Sequence, residues 1–246
     1  MDEQTTRPND LGGLRKSEVI GGLLYWPVYL WGAQYLALWI AGALGVDTGK
    51  ETALAPVNLI FGCLNLLILL PIFSRYLADQ LRRLTGRGWR LFGDLLMGYL
   101  FYFGLSYLVS LVMSALVVSA GLDYFNLNEE AVEAAVRMTP WMMILVACVL
   151  APLAEELLCR GLIFCGLYRR SRLWAYGLSM LMFSLLHVYA AAPHQPLSVT
   201  GLNLIIYLPA GYALARTYER TGTIWSSILL HSFINMISLL VQASLR

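Results

Sequence analysis

Hydrophobic positions in this chain neither alternate nor fall on one face of short helices. They run in blocks of about 18 residues or more, the length needed to cross a bilayer as a helix, and short polar clusters separate the blocks. The pattern predicts seven membrane spans, at about Gly21 to Val46, Leu54 to Phe73, Leu91 to Gly121, Pro140 to Tyr168, Leu173 to Ala192, Val199 to Tyr218 and Ile224 to Ala243. Residues 1–20 read as a polar tail, 21–140 as three N-terminal spans and 141–243 as a four-helix catalytic core. Residues 74–90 read as a basic amphipathic connector, and the stretch with Asp123, Glu129, Glu130 and Glu133 as an acidic one. The expected fold is an all-α polytopic membrane bundle.

Composition agrees. The chain is 59% hydrophobic and 13% charged, against about 45–50% and 25% in soluble domains. No cleavable signal peptide is expected, because the first twenty residues lack an apolar core. Cys63, Cys148, Cys159 and Cys165 all lie in apolar runs without a CxxC pair, which points to packing rather than disulfides or a thiolate metal site.

Charge placement gives the orientation. With the N-terminus inside, the inner segments carry Arg7, Arg15, Lys16, Arg75, Arg82, Arg83, Arg87, Arg90, Arg169, Arg170, Arg172, Arg216 and Arg220. The outer segments carry only Lys50, Arg137 and Arg246. This asymmetry predicts N-in/C-out. The basic connectors orient the chain and meet lipid headgroups, and no nucleic-acid partner is implied. In a bacterium the expected location is the plasma (inner) membrane.

Against this background, Glu155, Glu156 and Arg160 stand out in the fourth span. Each charge at bilayer depth costs about 2.5–3.5 kcal/mol or more. Glu156 and Arg160, four residues apart, share a helix face and can pair. Glu155 points about 100° away and is left for chemistry, although the opposite assignment stays open. His187 lies one turn after Phe183 in the fifth span, and His231 one turn before Asn235 in the seventh. Counted from the inner ends of their helices, the four lie roughly 12–22 Å deep, so one cavity in the mid-to-cytoplasmic part of the membrane can hold them. Two hydrolytic schemes suit these groups. In one, Glu155, His187 and His231 hold a divalent metal such as zinc. In the other no cofactor is needed: Glu155 and His187 activate water, and His231 and Asn235 stabilise the oxyanion.

The ordered set Glu155-Glu156-x-x-x-Arg160, Phe183-x-x-x-His187 and His231-x-x-x-Asn235 resembles the three motifs of the CAAX protease and bacteriocin-processing (CPBP, or Abi) family. That family includes the type II CAAX prenyl endopeptidases. The resemblance covers about Trp141 to Leu240 and implies an intramembrane endopeptidase. Its glutamate and first histidine would activate water, and its later histidine and asparagine would stabilise the oxyanion; metal dependence stays open. It also implies a peptide or protein substrate, lipidated or membrane-anchored, cut in the membrane or at its cytoplasmic edge near a C-terminus. Cys159 departs from the aromatic residue often found before the motif arginine. Two other classes compete: a non-catalytic immunity or partner-binding protein, and an ion-coupled transporter using the same polar groups as a relay.

Overall fold

The computed structural model describes residues 11–85 and 88–244; residues 1–10 of the expected tail, with Arg7, and also Arg87 and Arg246, lie outside them. The described residues form eight helices and no strand. They are α1 (16–43), α2 (Leu54–Leu84), α3 (Trp89–Ala120), α4 (Leu127–Met138), α5 (Pro140–Tyr168), α6 (Arg172–Val188), α7 (Leu197–Thr221) and α8 (Ile224–Ser244). Among these residues, α2, α3, α5, α7 and α8 are long and apolar enough to cross a membrane. The chain is an integral, multi-pass membrane protein. Of the other two long helices, α6 has 17 residues and α1 is rich in Trp and Tyr.

Three expectations change. The basic connector is not separate: α2 continues through it to Leu84. Arg75 and Arg82 both pair with Asp79 one turn away, which supports a helix where the apolar run has ended. The acidic stretch folds as α4, whose first turn is capped by the Asn126 side chain accepting from the backbone N–H groups of Asn128 and Glu129. The polar tail ends early as well. Leu11 is 2% exposed, and its carbonyl accepts hydrogen bonds from Gln80 Nε2 at 2.8 Å and Tyr218 Oη at 3.0 Å. The segment before α1 is therefore docked between helix ends.

The bundle has two unlike ends. At the basic end, Arg75 of α2 pairs with buried Glu18 of α1 at 2.8 Å. Glu219 of α7 accepts from Tyr168, Arg172 and Tyr176, tying α5, α6 and α7 together. Thr223 and Ile224 donate to Gln80. These bonds satisfy polar groups that lipid cannot, and they close the core at this end. The other end carries α4, with Tyr124 donating to Asn203 and Asn126 to Tyr207, both on α7.

Small residues bring the central helices close. A Cβ on Gly211 of α7 would lie 3.1 Å from the Met180 Cα on α6. A Cβ on Gly98 of α3 would lie 2.6 Å from Thr217 Oγ1 and 2.8 Å from a Leu230 methyl. Close approach at glycine is how membrane helices gain packing without a hydrophobic driving force. Beyond Gly98, α3 turns Phe92, Leu96, Met97, Phe101 and Phe103 outward, as a lipid-facing helix does.

Candidate active site

The local structure of α5 is set by Pro152, which has no N–H to donate. The segment Val146–Leu150 just before it is a π-bulge, a feature common at functional sites. Ala151 N donates to Val146 O in the i→i+5 pattern. The next donor in that pattern would be Pro152. The Ala147 carbonyl is satisfied instead by the Asn235 amide on α8, at 2.7 Å. A second wide segment, Leu157–Cys165, follows the two glutamates. The sequence thus opens the helix on both sides of Glu155–Glu156.

Glu156 is wholly buried and fully used. It accepts from Arg160 Nη1 at 3.0 Å, from His231 Nδ1 at 3.0 Å and from Ser227 Oγ. Arg160, also wholly buried, donates through Nη2 to the Gly211 carbonyl at 2.8 Å and lies over the Phe183 ring at 4.6 Å. A buried ion pair gains only when its remaining groups find partners. Here the partners come from α7, α8 and the aromatic face, and Arg160 Nε alone among the pair's described polar atoms is left buried without one.

Glu155 is the opposite case. Its Oε2 is buried without a hydrogen-bond partner and lies 3.9 Å from both His187 Nε2 and His231 Nε2. His187 Nδ1 faces the Phe183 carbonyl at 2.9 Å. A carbonyl only accepts, so that nitrogen carries the proton, and a neutral ring turns its bare Nε2 toward Glu155. Two acceptors 3.9 Å apart lie beyond direct hydrogen-bond range, and a single water would fit between them as the donor. The His187 ring stacks on Tyr207 at 4.4 Å between centroids, and Phe183 meets the edge of His231 at 5.4 Å. The carboxylate left free in the sequence reading is therefore the one that is unpartnered here.

Glu155, His187, His231 and Asn235 line one chamber of about 580 Å³. Glu156 and Arg160 lie behind its wall. The sequence reading missed Ser227 and Tyr207. Ser227 sits one turn before His231 on the same face of α8, a spacing that offered a signal; nothing in the sequence ties Tyr207 to His187. The chamber leads from Glu155 past Asn58, Ser238 and Gln242 to Glu129 and His194, toward the end that carries α4 and away from the basic end. Hydrogen bonds close the core at the basic end, as described above.

A tetrahedral metal with donors about 2.0–2.1 Å away holds them roughly 3.3 Å apart. The 3.9 Å separations around Glu155 are wider. Among the described residues no three His, Cys, Asp or Glu side chains stand close enough to hold an ion. As placed, these residues do not fit a tetrahedral metal.

Comparison with known proteins bears on this site. Residues 137–237, which contain all three motifs, match the family model described as type II CAAX prenyl endopeptidase Rce1-like. The family resemblance carried by the motifs therefore holds for this part of the chain. A Bacillus subtilis (strain 168) protein described as "Putative membrane peptidase YdiL" is 29% identical over 123 residues, covering 50% of this chain and 46% of that protein. The chain thus spans about half the length of the curated relative it matches. No solved structure matches it.

Proposed function

We propose that the protein is an intramembrane endopeptidase in which Glu155 activates a water for attack on a peptide carbonyl. One observation carries this reading: a buried carboxylate oxygen without a partner, facing two histidine nitrogens inside a chamber large enough for a peptide segment. Chambers of about 300–1,000 Å³ are usual for ligand sites.

A water between Glu155 and His187 attacks the carbonyl carbon and gives a proton to Glu155 Oε2. His187, fixed by Phe183 O and Tyr207, orients that water. The oxyanion receives hydrogen bonds from the N–H of Asn235 not committed to Ala147 and from Nε2–H of His231. His231 donates through Nε2 when it carries both ring protons, with Nδ1–H held on the Glu156 carboxylate. Glu155 then passes its proton to the leaving nitrogen as the C–N bond breaks. The products are a new carboxylic acid and a new amine.

The test is hydrolysis by the purified full chain in detergent, using a quenched peptide library in ¹⁸O-labelled water. Cleavage with ¹⁸O in the new carboxyl group, abolished in Glu155→Gln, supports the reading. No cleavage of any peptide, or cleavage retained in Glu155→Gln, would overturn it.

A further inference from the structure

Tyr29 of α1 reaches the chamber from outside the three motifs. It lies in the π-helical turn Val28–Gly32 that follows Pro27, a local widening frequent at functional sites. Its ring rests on fixed neighbours. It meets Phe61 of α2 at 5.3 Å and Trp26 at 6.4 Å between centroids, edge to face in both cases. One turn earlier, Tyr25 Oη donates to Asn65 Oδ1 at 2.8 Å, and Asn65 Nδ2 donates to the Phe61 carbonyl at 2.8 Å. Two turns before Tyr29, α1 packs hard on α5: a Cβ on Gly22 would lie 2.9 Å from a Leu162 methyl. Tyr29 itself is 4% exposed. Unlike the Tyr25 hydroxyl, its hydroxyl has no hydrogen-bond partner among the described residues.

The Tyr29 phenol lies within electrostatic reach of Glu155, of Tyr189 just after α6 and of Cys159. Tyr189 also lines the chamber and interacts with Glu155 in turn. Cys159, four residues after Glu155, is wholly buried, and its small side chain leaves room for a ring arriving from α1. Tyr29 and Glu155 share no hydrogen bond, so chamber space separates them. A buried hydroxyl without a partner is costly, and one on a chamber wall can take its partner from a ligand. A phenol donates to carbonyls, and a peptide backbone offers one at every residue. Asn235 and His231 face the scissile carbonyl, which leaves a neighbouring carbonyl of the same chain for Tyr29.

We propose that Tyr29 binds the substrate backbone: its hydroxyl donates to a carbonyl beside the scissile bond and sets the peptide against Glu155. This deepens the peptidase reading and rests on it for the reaction, but the contact can be measured without catalysis. It gives α1, which lies outside the matched residues 137–237, a direct part in the site. The donor is preorganised, because Phe61, Trp26 and the Tyr25–Asn65 bond fix the ring before a peptide arrives.

Two measurements on the full chain in detergent test it. First, peptide binding is compared in Glu155→Gln and in the double variant Glu155→Gln, Tyr29→Phe, so that nothing turns over. The probe is the library peptide that Glu155→Gln retains most tightly, with copies in which each backbone amide in turn is replaced by a trans-alkene. That replacement keeps the shape and removes the carbonyl. Tyr29→Phe keeps the ring and its packing, so the melting temperature should not change. We expect it to raise Kd for the all-amide peptide by about 2–10-fold, as loss of one neutral hydrogen bond does, and to leave Kd unchanged for one alkene copy. Equal Kd in both proteins, the same loss on every alkene copy, or no peptide retained would overturn the contact. Second, Tyr29→Phe alone should raise KM of a cleaved peptide by a similar factor with kcat unchanged, as loss of uniform binding does. A fall in kcat with KM unchanged would overturn the binding role. Absence of all cleavage in the wild type would instead strike the peptidase reading, while the Kd series would still decide the role of Tyr29.

Discussion

His231 Nδ1 lies 3.0 Å from Glu156 Oε1, while the Nε2 of the same ring faces Glu155 Oε2 at 3.9 Å. One imidazole therefore bridges two adjacent glutamates of different standing. Glu156 is saturated by Arg160, Ser227 and His231; the Oε2 of Glu155 has no partner. The first holds the charge framework and the second is free to move a proton.

That division predicts different outcomes for two similar substitutions. Glu156→Gln leaves Arg160 buried against a neutral group. Breaking a buried pair costs about 3–5 kcal/mol, so the melting temperature in detergent should fall by several degrees together with activity. If Glu156→Gln melts like wild type, the buried pair is not the support argued here.

Ser227→Ala removes one hydrogen bond to Glu156 and leaves His231 and Arg160 in place. A bond to a charged group is worth about 1.5–3 kcal/mol. The expected result is a moderate loss of stability and a reduced kcat with KM unchanged. A changed KM with full kcat would place Ser227 in substrate binding instead.

Asn235→Ala should lower kcat by about 10²–10³-fold, the usual cost of one oxyanion donor. It also leaves the Ala147 carbonyl beside Pro152 without its donor. Asn235→Asp retains an oxygen but brings a second acceptor toward that carbonyl, so it should be no better than Ala. Near-wild-type kcat in either variant would remove Asn235 from the mechanism.

Much of this was legible in the chain, for local reasons. Apolar blocks reveal helices because nothing else satisfies the backbone in lipid, and Glu156–Arg160 follows from four-residue spacing on one helix. The identity of the free carboxylate was not legible. It depends on Ser227 and His231 arriving from α8, about seventy residues later in the chain. The docking of Leu11 was hidden for the same kind of reason, since its partners Gln80 and Tyr218 come from α2 and α7. The helix in the acidic stretch was not legible because its charges dominate it. Only the fold shows Ala134, Ala135 and Val136 buried on the inner face of α4. The direction of the chamber could not be read from depth alone, because depth does not say which end is closed.

Glu129 gives a pH dependence of known sign. Partial desolvation at the chamber wall raises its pKa from the ordinary glutamate value, although its surface is still exposed. A raised carboxyl pKa means that the folded state holds the proton more tightly than the unfolded chain. Its contribution to stability is then full below the unfolded pKa and is lost as pH rises through the folded value. Glu129→Gln should flatten the stability profile in that window. An unchanged stability profile in the variant would assign the pH dependence to another group.

The central claim is that Glu155, and not its neighbour, activates the water. The most direct test is kcat for Glu155→Gln on a cleaved peptide, measured beside its melting temperature. General-base catalysis contributes about 10²–10⁴-fold, so kcat should fall by at least about 100-fold while the melting temperature stays at or above that of wild type. A Glu155→Gln protein that folds normally and keeps its wild-type kcat would contradict the account.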